Sequence, residues 1–126
     1  VITETSVQKS IIEWCGHALK KDCVYWSTPN ERKPSTMGAL RSMGLKTGVS
    51  DLIFLREGTI LFIEVKRPAT YKIGKRGKKV IDQRAGTLST EQEEFKNAVT
   101  LAGGHFYKVD NLPDFMQIMK SWEFAR

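Results

Sequence analysis

The chain has 126 residues, 40% of them hydrophobic and 27% charged, with a net charge of +6. That is the length of one domain with apolar content for a real core. No apolar run approaches the roughly 18 residues a membrane helix needs, no basic-then-apolar signal segment opens the chain, and its two cysteines make no disulfide framework.

A reduced, cytoplasmic setting fits that cysteine usage. The first residue is Val, as expected of a chain that has lost its initiator Met or been cut from a longer one.

Residues 5–19 place Val7, Ile11, Trp14, Cys15, Ala18 and Leu19 on one helical face. Glu4 stands at the start of this helix, where a carboxylate is favourable with the dipole. Residues 23–27 (CVYWS) read as a short strand rich in β-formers. Residues 28–35 carry two prolines and predict a loop. Met37, Leu40, Arg41 and Met43 predict a short helix before Gly44. Arg32, Lys33 and Arg41 are scattered and read as solvated surface. Cys15, His17, Cys23 and His105 do not reproduce a zinc spacing.

Residues 48–66, GVSDLIFLREGTILFIEVK, carry the chemistry. Two apolar runs, 52–55 and 60–65, flank a short polar stretch containing Gly58, the signature of a β-hairpin. Either a two-residue turn with Arg56 facing Thr59 or a four-residue loop with Leu55 facing Ile60 sets Asp51 opposite Glu64. Opposed Cβ atoms in a sheet lie roughly 4.5–5.5 Å apart, and two like charges there destabilise it unless something positive lies between them. A hard divalent cation such as Mg²⁺ answers this, since it takes carboxylate oxygens and keeps waters for a phosphate substrate. Lys66 follows Glu64 at a spacing of two, hence on the same strand face. It is suited to polarising a phosphate or helping to deprotonate a metal-bound water. The plainer alternative is an exposed hairpin edge on which Lys66 offsets both acids. Ile60 and Phe62 on the Glu64 face, with Leu61, Ile63 and Val65 on the other, argue for burial of both faces, and buried acids need a partner.

Beyond the hairpin, Arg67-Pro68 ends the strand. Residues 67–88 hold Arg67, Lys72, Lys75, Arg76, Lys78, Lys79 and Arg84 against Asp82 alone, a net +6 that leaves thirteen basic and thirteen acidic residues elsewhere. All the excess charge sits in one segment, the footprint expected of phosphate-backbone binding. The segment predicts a long basic loop, partly disordered without nucleic acid, with a small hairpin whose second arm is 79–81. Tyr71 is available to stack on a base or sugar. Residues 88–102 predict a helix with Ser89 and Gln92 as a capping box and Phe95, Ala98, Val99 and Ala102 as its apolar stripe. Residues 105–109 predict a strand, and His105 reads as a strand-edge residue rather than a general base. Residues 111–119 predict a final helix, with Pro113 in its first turn. Trp122 and Phe124 either cover the core or meet a second subunit.

Gly48-Val49-Ser50-Asp51-Leu52-Ile53, then Phe62-Ile63-Glu64-Val65-Lys66, then Leu88-Ser89-x-x-Gln92-x-x-Phe95 resemble the VRR-NUC (virus-type replication-repair nuclease) domain, in the manner of its stand-alone phage members. That family belongs to the PD-(D/E)xK nuclease superfamily. The resemblance runs over residues 4–109, and Ser50 stands where the family commonly has Pro. It implies an α/β fold of the restriction-endonuclease-like type: an αβββαβ core with a mixed four-stranded sheet flanked by helices, as a single domain over 1–126. It further implies Asp51 and Glu64 as ligands of Mg²⁺ or Mn²⁺, with the Val65 carbonyl as a further ligand. Glu4 matches an acid that often joins such sites, and Glu13 is the weaker choice for that place. Lys66 is implied as the catalytic amine, with Gln92 beside it orienting the amine or the water. Helix capping is the competing role for Gln92, and one amide is expected to do one or the other.

The function expected is metal-dependent endonuclease cleavage of DNA, with a branched or four-way (Holliday) junction as substrate, a homodimer as the assembly and the cytoplasm (the host's, for a phage protein) as its place. The dimer rests on the resemblance alone. The alternatives are a basic nucleic-acid-binding module that does not cleave, and an endonuclease of linear duplex or of defined sequences.

Overall fold

The computed structural model describes residues 1–28, 43–44 and 48–126. The helix expected before Gly44 lies, for the most part, outside them. The elements are α1 (Glu4–Ala18), β1 (Val24–Ser27), β2 (Leu52–Arg56), β3 (Thr59–Val65), β4 (Thr70–Ile73), β5 (Lys79–Gln83), α2 (Thr90–Leu101), β6 (His105–Val109) and α3 (Leu112–Ser121). A four-stranded sheet has the order β1-β2-β3-β6, and β4 and β5 form a separate two-stranded sheet. This is a mixed α/β architecture with three helices among the described residues. None of those helices is long and apolar enough to cross a membrane.

Contacts divide the chain into two compact units. One comprises Val24–Glu64 and Leu88–Tyr107 and is built on the sheet. β1 and β2 run antiparallel, as do β2 and β3. Ile60 lies by Gly104 at the start of β6, and the Lys66 amide, just past β3, reaches the Val109 carbonyl. Both numbers rise together, so β6 runs parallel to β3. The β2–β3 turn is the two-residue form, with Arg56 opposite Thr59. Glu57 (φ 49°) and Gly58 (φ 77°) both adopt the left-handed region, the type I′ geometry that matches strand twist.

Alternation along these strands separates two faces. Leu52, Phe54, Leu61 and Ile63 are fully buried, and Tyr25 stacks on Phe54 at 5.5 Å. The other face carries Ile53, Ile60 and Phe62. There α2 packs through Phe95, edge-on to Phe62 at 5.2 Å and to Phe106 at 6.5 Å. The apolar stripe of α2 is narrower than its sequence predicts. Phe95 and Val99 are buried while Ala98 and Ala102 are exposed, because two large side chains suffice to fill the contact.

The second unit comprises Val1–Cys23, Val65–Thr87 and Lys108–Arg126. Helix α1 opens on a reciprocal capping box: the Thr3 hydroxyl accepts from the Ser6 amide and the Ser6 hydroxyl accepts from the Thr3 amide. Val7, Ile11 and Cys15 are buried along one stripe. Trp14 meets Phe115 of α3 edge-on at 5.8 Å. The terminal residues turn inward: Phe124 is 1% exposed, and Leu19 pairs with Ala125 in an isolated bridge. Of the two roles open to Phe124, covering the core is the one it plays.

The basic segment contains the small hairpin expected within it, its second arm Lys79–Gln83 taking in 79–81. Tyr71 lies opposite Ile81, Lys72 opposite Val80 and Ile73 opposite Lys79, with a register shift between Thr70 and Tyr71. The glycines, which read as loop residues in sequence, lie instead at its tip and just beyond its end.

Candidate active site

Glu64 is the buried centre of the sheet unit's chemistry. It is the penultimate residue of β3 and only 2% exposed. Alternation places it on the Ile60 and Phe62 face, the face α2 covers. The first turn of α2 supplies its contact: Gln92 Nε2 donates to Glu64 Oε1 at 2.8 Å. The positive end of the helix dipole at this turn also favours a carboxylate.

The same side chain caps the helix. Gln92 Oε1 accepts from the Ser89 amide at 2.8 Å, and the Ser89 hydroxyl accepts from the Gln92 amide at 3.2 Å. The either-or expected from sequence is therefore corrected. A carboxamide has an acceptor at one end and two donors at the other, so one amide caps with its oxygen and holds Glu64 with its nitrogen. The group its nitrogen holds is Glu64; the resemblance implied a place beside Lys66, orienting that amine or the water.

Asp51 adjoins the end of the β2–β3 ladder. That ladder closes with Leu52 opposite Ile63, the register expected from the turn, and stops one residue short of the Asp51–Glu64 pair. Asp51 itself is a half-buried bend one residue before β2. On its other side the Thr28 amide donates to the Asp51 carbonyl at 2.8 Å, one step beyond Ser27 opposite Leu52. Thr28 thus sits beside Asp51. Thr28 was missed in the sequence, because only the β1–β2 pairing places it there.

Gly48 fixes how the 48–51 segment meets α2. Its φ of +79° is left-handed, and a Cβ there would lie 2.5 Å from the Glu91 carbonyl oxygen. Any side chain at this position would push the first turn of α2 away. Ser50, between Gly48 and Asp51, is fully buried, and among the described residues its hydroxyl has no hydrogen-bond partner.

Lys66 belongs to the second unit and is 9% exposed. Its backbone amide donates to the Val109 carbonyl at 2.9 Å, which carries the strand line one residue past β3. Gly86 lies against its stem: a Cβ at 86 would stand 3.2 Å from Lys66 Cβ and 3.3 Å from Cδ. Val65 is buried at 1% exposure. Glu4 is exposed in the first turn of α1, the place that suits its dipole role.

Arg67, Lys72, Lys75, Arg76, Lys78, Lys79 and Arg84 are all exposed. Arg67 Nε donates to the Arg84 carbonyl at 3.1 Å, Lys72 pairs with Asp82 at 3.6 Å, and Lys79 Nζ lies 4.6 Å from the Tyr71 ring centre. Cys15 is buried, and that burial, then the neighbouring Cys23, pushes its thiol up to about 12.

Among the described residues no three His, Cys, Asp or Glu side chains gather as a metal cluster. The Asp51 and Glu64 pair falls below that count, and an ion there would draw on backbone carbonyl or water oxygens besides. The carboxylates of Asp51 and Glu64, the latter buried and oriented by an amide, are hard-oxygen donors of the kind Mg²⁺ and Mn²⁺ take. The donor set fits such an ion.

Compared with protein-family models, with curated proteins and with solved structures, the chain finds no match.

Proposed function

We propose that the protein is a metal-dependent DNA endonuclease of the PD-(D/E)xK type, with a branched or four-way junction as its substrate. The observation that carries the reading is Glu64: a carboxylate 2% exposed, fixed by Gln92 at 2.8 Å, at the end of the ladder that Asp51 adjoins. A protein keeps a buried acid at a cost in desolvation, and a cation site is what makes that cost useful. The order of elements, α1, β1–β3, α2, β6, supports the αβββαβ core that the VRR-NUC resemblance implies.

In this reading Asp51 and Glu64 hold Mg²⁺ or Mn²⁺, with the Val65 carbonyl as a further oxygen donor. The ion supplies an acidified water and charge neutralisation at the phosphate. Gln92 holds the Glu64 carboxylate in one orientation, so that no reorganisation is needed as charge develops. Lys66, two residues along the chain from Glu64, offers its ammonium to the phosphate oxygens. Its stem is confined by Gly86, which limits where that charge can go. The homodimer and the junction preference rest on the resemblance, since symmetrical cutting calls for two sites related by a two-fold axis.

The test is cleavage of matched linear, flapped and four-way DNA by the purified protein in Mg²⁺ and Mn²⁺. Asp51→Asn, Glu64→Gln and Lys66→Ala should each lower the rate by at least about 100-fold, as losing one preorganised electrostatic group does, with DNA affinity kept. A wild-type protein that cuts none of these substrates in either metal overturns the nuclease reading. The exposed cations of the β4–β5 hairpin would then favour a nucleic-acid binder without catalysis.

A further inference from the structure

The β4–β5 hairpin has a feature that phosphate binding does not use. Tyr71, Ile73 and Ile81 lie on one of its faces by register, with Lys79 beside them. They are 52%, 72% and 49% exposed, so three neighbouring large apolar side chains face solvent on a ribbon with no core of its own. A free two-stranded hairpin is marginal in water. This one is tied at its base, where Gln83 Nε2 donates to the carbonyls of Ile2 at 2.9 Å and Pro68 at 2.8 Å. Its tip, Lys75–Gly77, holds Arg76 at φ 66°, a left-handed conformation rare for a side chain of that size.

Charge complementarity identifies the partner. The whole net excess of +6 lies in residues 67–88, which selects a polyanion, yet phosphates offer nothing to Tyr71, Ile73 and Ile81. The extended apolar surfaces of a nucleic acid are the faces of its bases. Intact duplex hides those faces in the stack and presents polar edges in its grooves. They become available at ends, flaps and branch points.

We propose that the β4–β5 hairpin is a base-sensing arm, in which Lys75, Arg76, Lys78 and Lys79 hold the phosphate backbone while Tyr71, Ile73 and Ile81 pack on unstacked bases of branched DNA. The arm gives the nuclease reading, on which the choice of DNA rests, a physical source of structure selectivity. Tyr71 is the stacking residue and the two isoleucines widen its platform. Lys79 over the Tyr71 ring at 4.6 Å brings a cation to the point where the base meets its phosphate.

Binding in EDTA tests the arm separately from cleavage, so a failed nuclease reading and a failed arm are told apart. Fluorescein-labelled four-way junction and linear duplex of equal length are titrated with wild type, with Tyr71→Ser/Ile73→Ser, and with Tyr71→Phe. The double variant should bind the junction about 5-fold to 100-fold more weakly, the range for one lost stacking contact, and the duplex as before. Tyr71→Phe should retain junction affinity. Neutralising Lys75, Arg76, Lys78 and Lys79 to Gln should weaken both substrates and lower the slope of log affinity against log salt by about 3 to 4. Equal losses on junction and duplex, or no loss from the double variant, would overturn the base-sensing role, and an unchanged salt slope would overturn the phosphate contact. If the double variant turns a dimer into a monomer yet keeps its preference for the junction, the face is a contact between copies and the proposal fails.

Discussion

Gln92 shows how much one side chain can join. Its oxygen closes the cap of α2 and its nitrogen orients Glu64, so helix start and carboxylate position are set by the same rotamer. Two substitutions separate these duties. Gln92→Ala removes both, and a lost cap with a lost charge-assisted bond should cost about 2 to 3 kcal/mol. Gln92→Glu keeps the cap, because Glu is a standard partner of Ser in a capping box, but sets a carboxylate against Glu64. Two such acids cannot both ionise easily, so one of them titrates above the ordinary carboxylate range. A group whose pKa is raised by folding contributes its stability at low pH and loses it as pH rises. Urea unfolding of Gln92→Glu should therefore show a deficit relative to wild type at pH 8 that shrinks at pH 5. A deficit independent of pH would place the introduced carboxylate away from Glu64.

At the scale of elements, the β2–β3 hairpin sets the register on which the site depends. Its type I′ turn asks for left-handed φ at both central residues, which Gly58 meets without strain and Glu57 (φ 49°) does not. Glu57→Asn should stabilise the protein by about 0.5 to 1 kcal/mol, since Asn-Gly is the preferred pair in this turn. The Arg56–Glu57 ion pair lost with it is 3.1 Å long but 67% exposed on the Glu57 side, and such pairs contribute little. Thermal melts of the two proteins decide it, and a lower melting temperature for Glu57→Asn would contradict the turn assignment. This hairpin was legible in the sequence, because its length, alternation and Gly-containing turn are local signals. The register followed from counting, and the ladder bears it out as far as Leu52 opposite Ile63. The β4–β5 hairpin was only half legible. Its charge and its glycines read as a loop, while Tyr71-x-Ile73 and Val80-Ile81 were too short a pattern to fix pairing or to reveal which face lay bare.

For the molecule as a whole, charge and chemistry occupy different segments. The cations crowd residues 67–88 while the rest of the chain balances to neutrality, and Asp51 and Glu64 lie at the end of the largely apolar β2–β3 ladder. Helix and strand order could be read from periodicity, capping residues and the Gly103-Gly104 stop. What could not be read were contacts made across long stretches of chain. Thr28 reaching Asp51, Glu91 excluding a side chain at Gly48 and Gly86 lying on Lys66 all depend on folding, and no local pattern announces them. The most direct test of the central claim is a crystal of the wild-type protein soaked in Mn²⁺, with the anomalous signal measured. One peak between the carboxylates of Asp51 and Glu64, absent in Asp51→Asn, is the expected result. No peak there, or two carboxylates directed to opposite sides of the sheet, would contradict it.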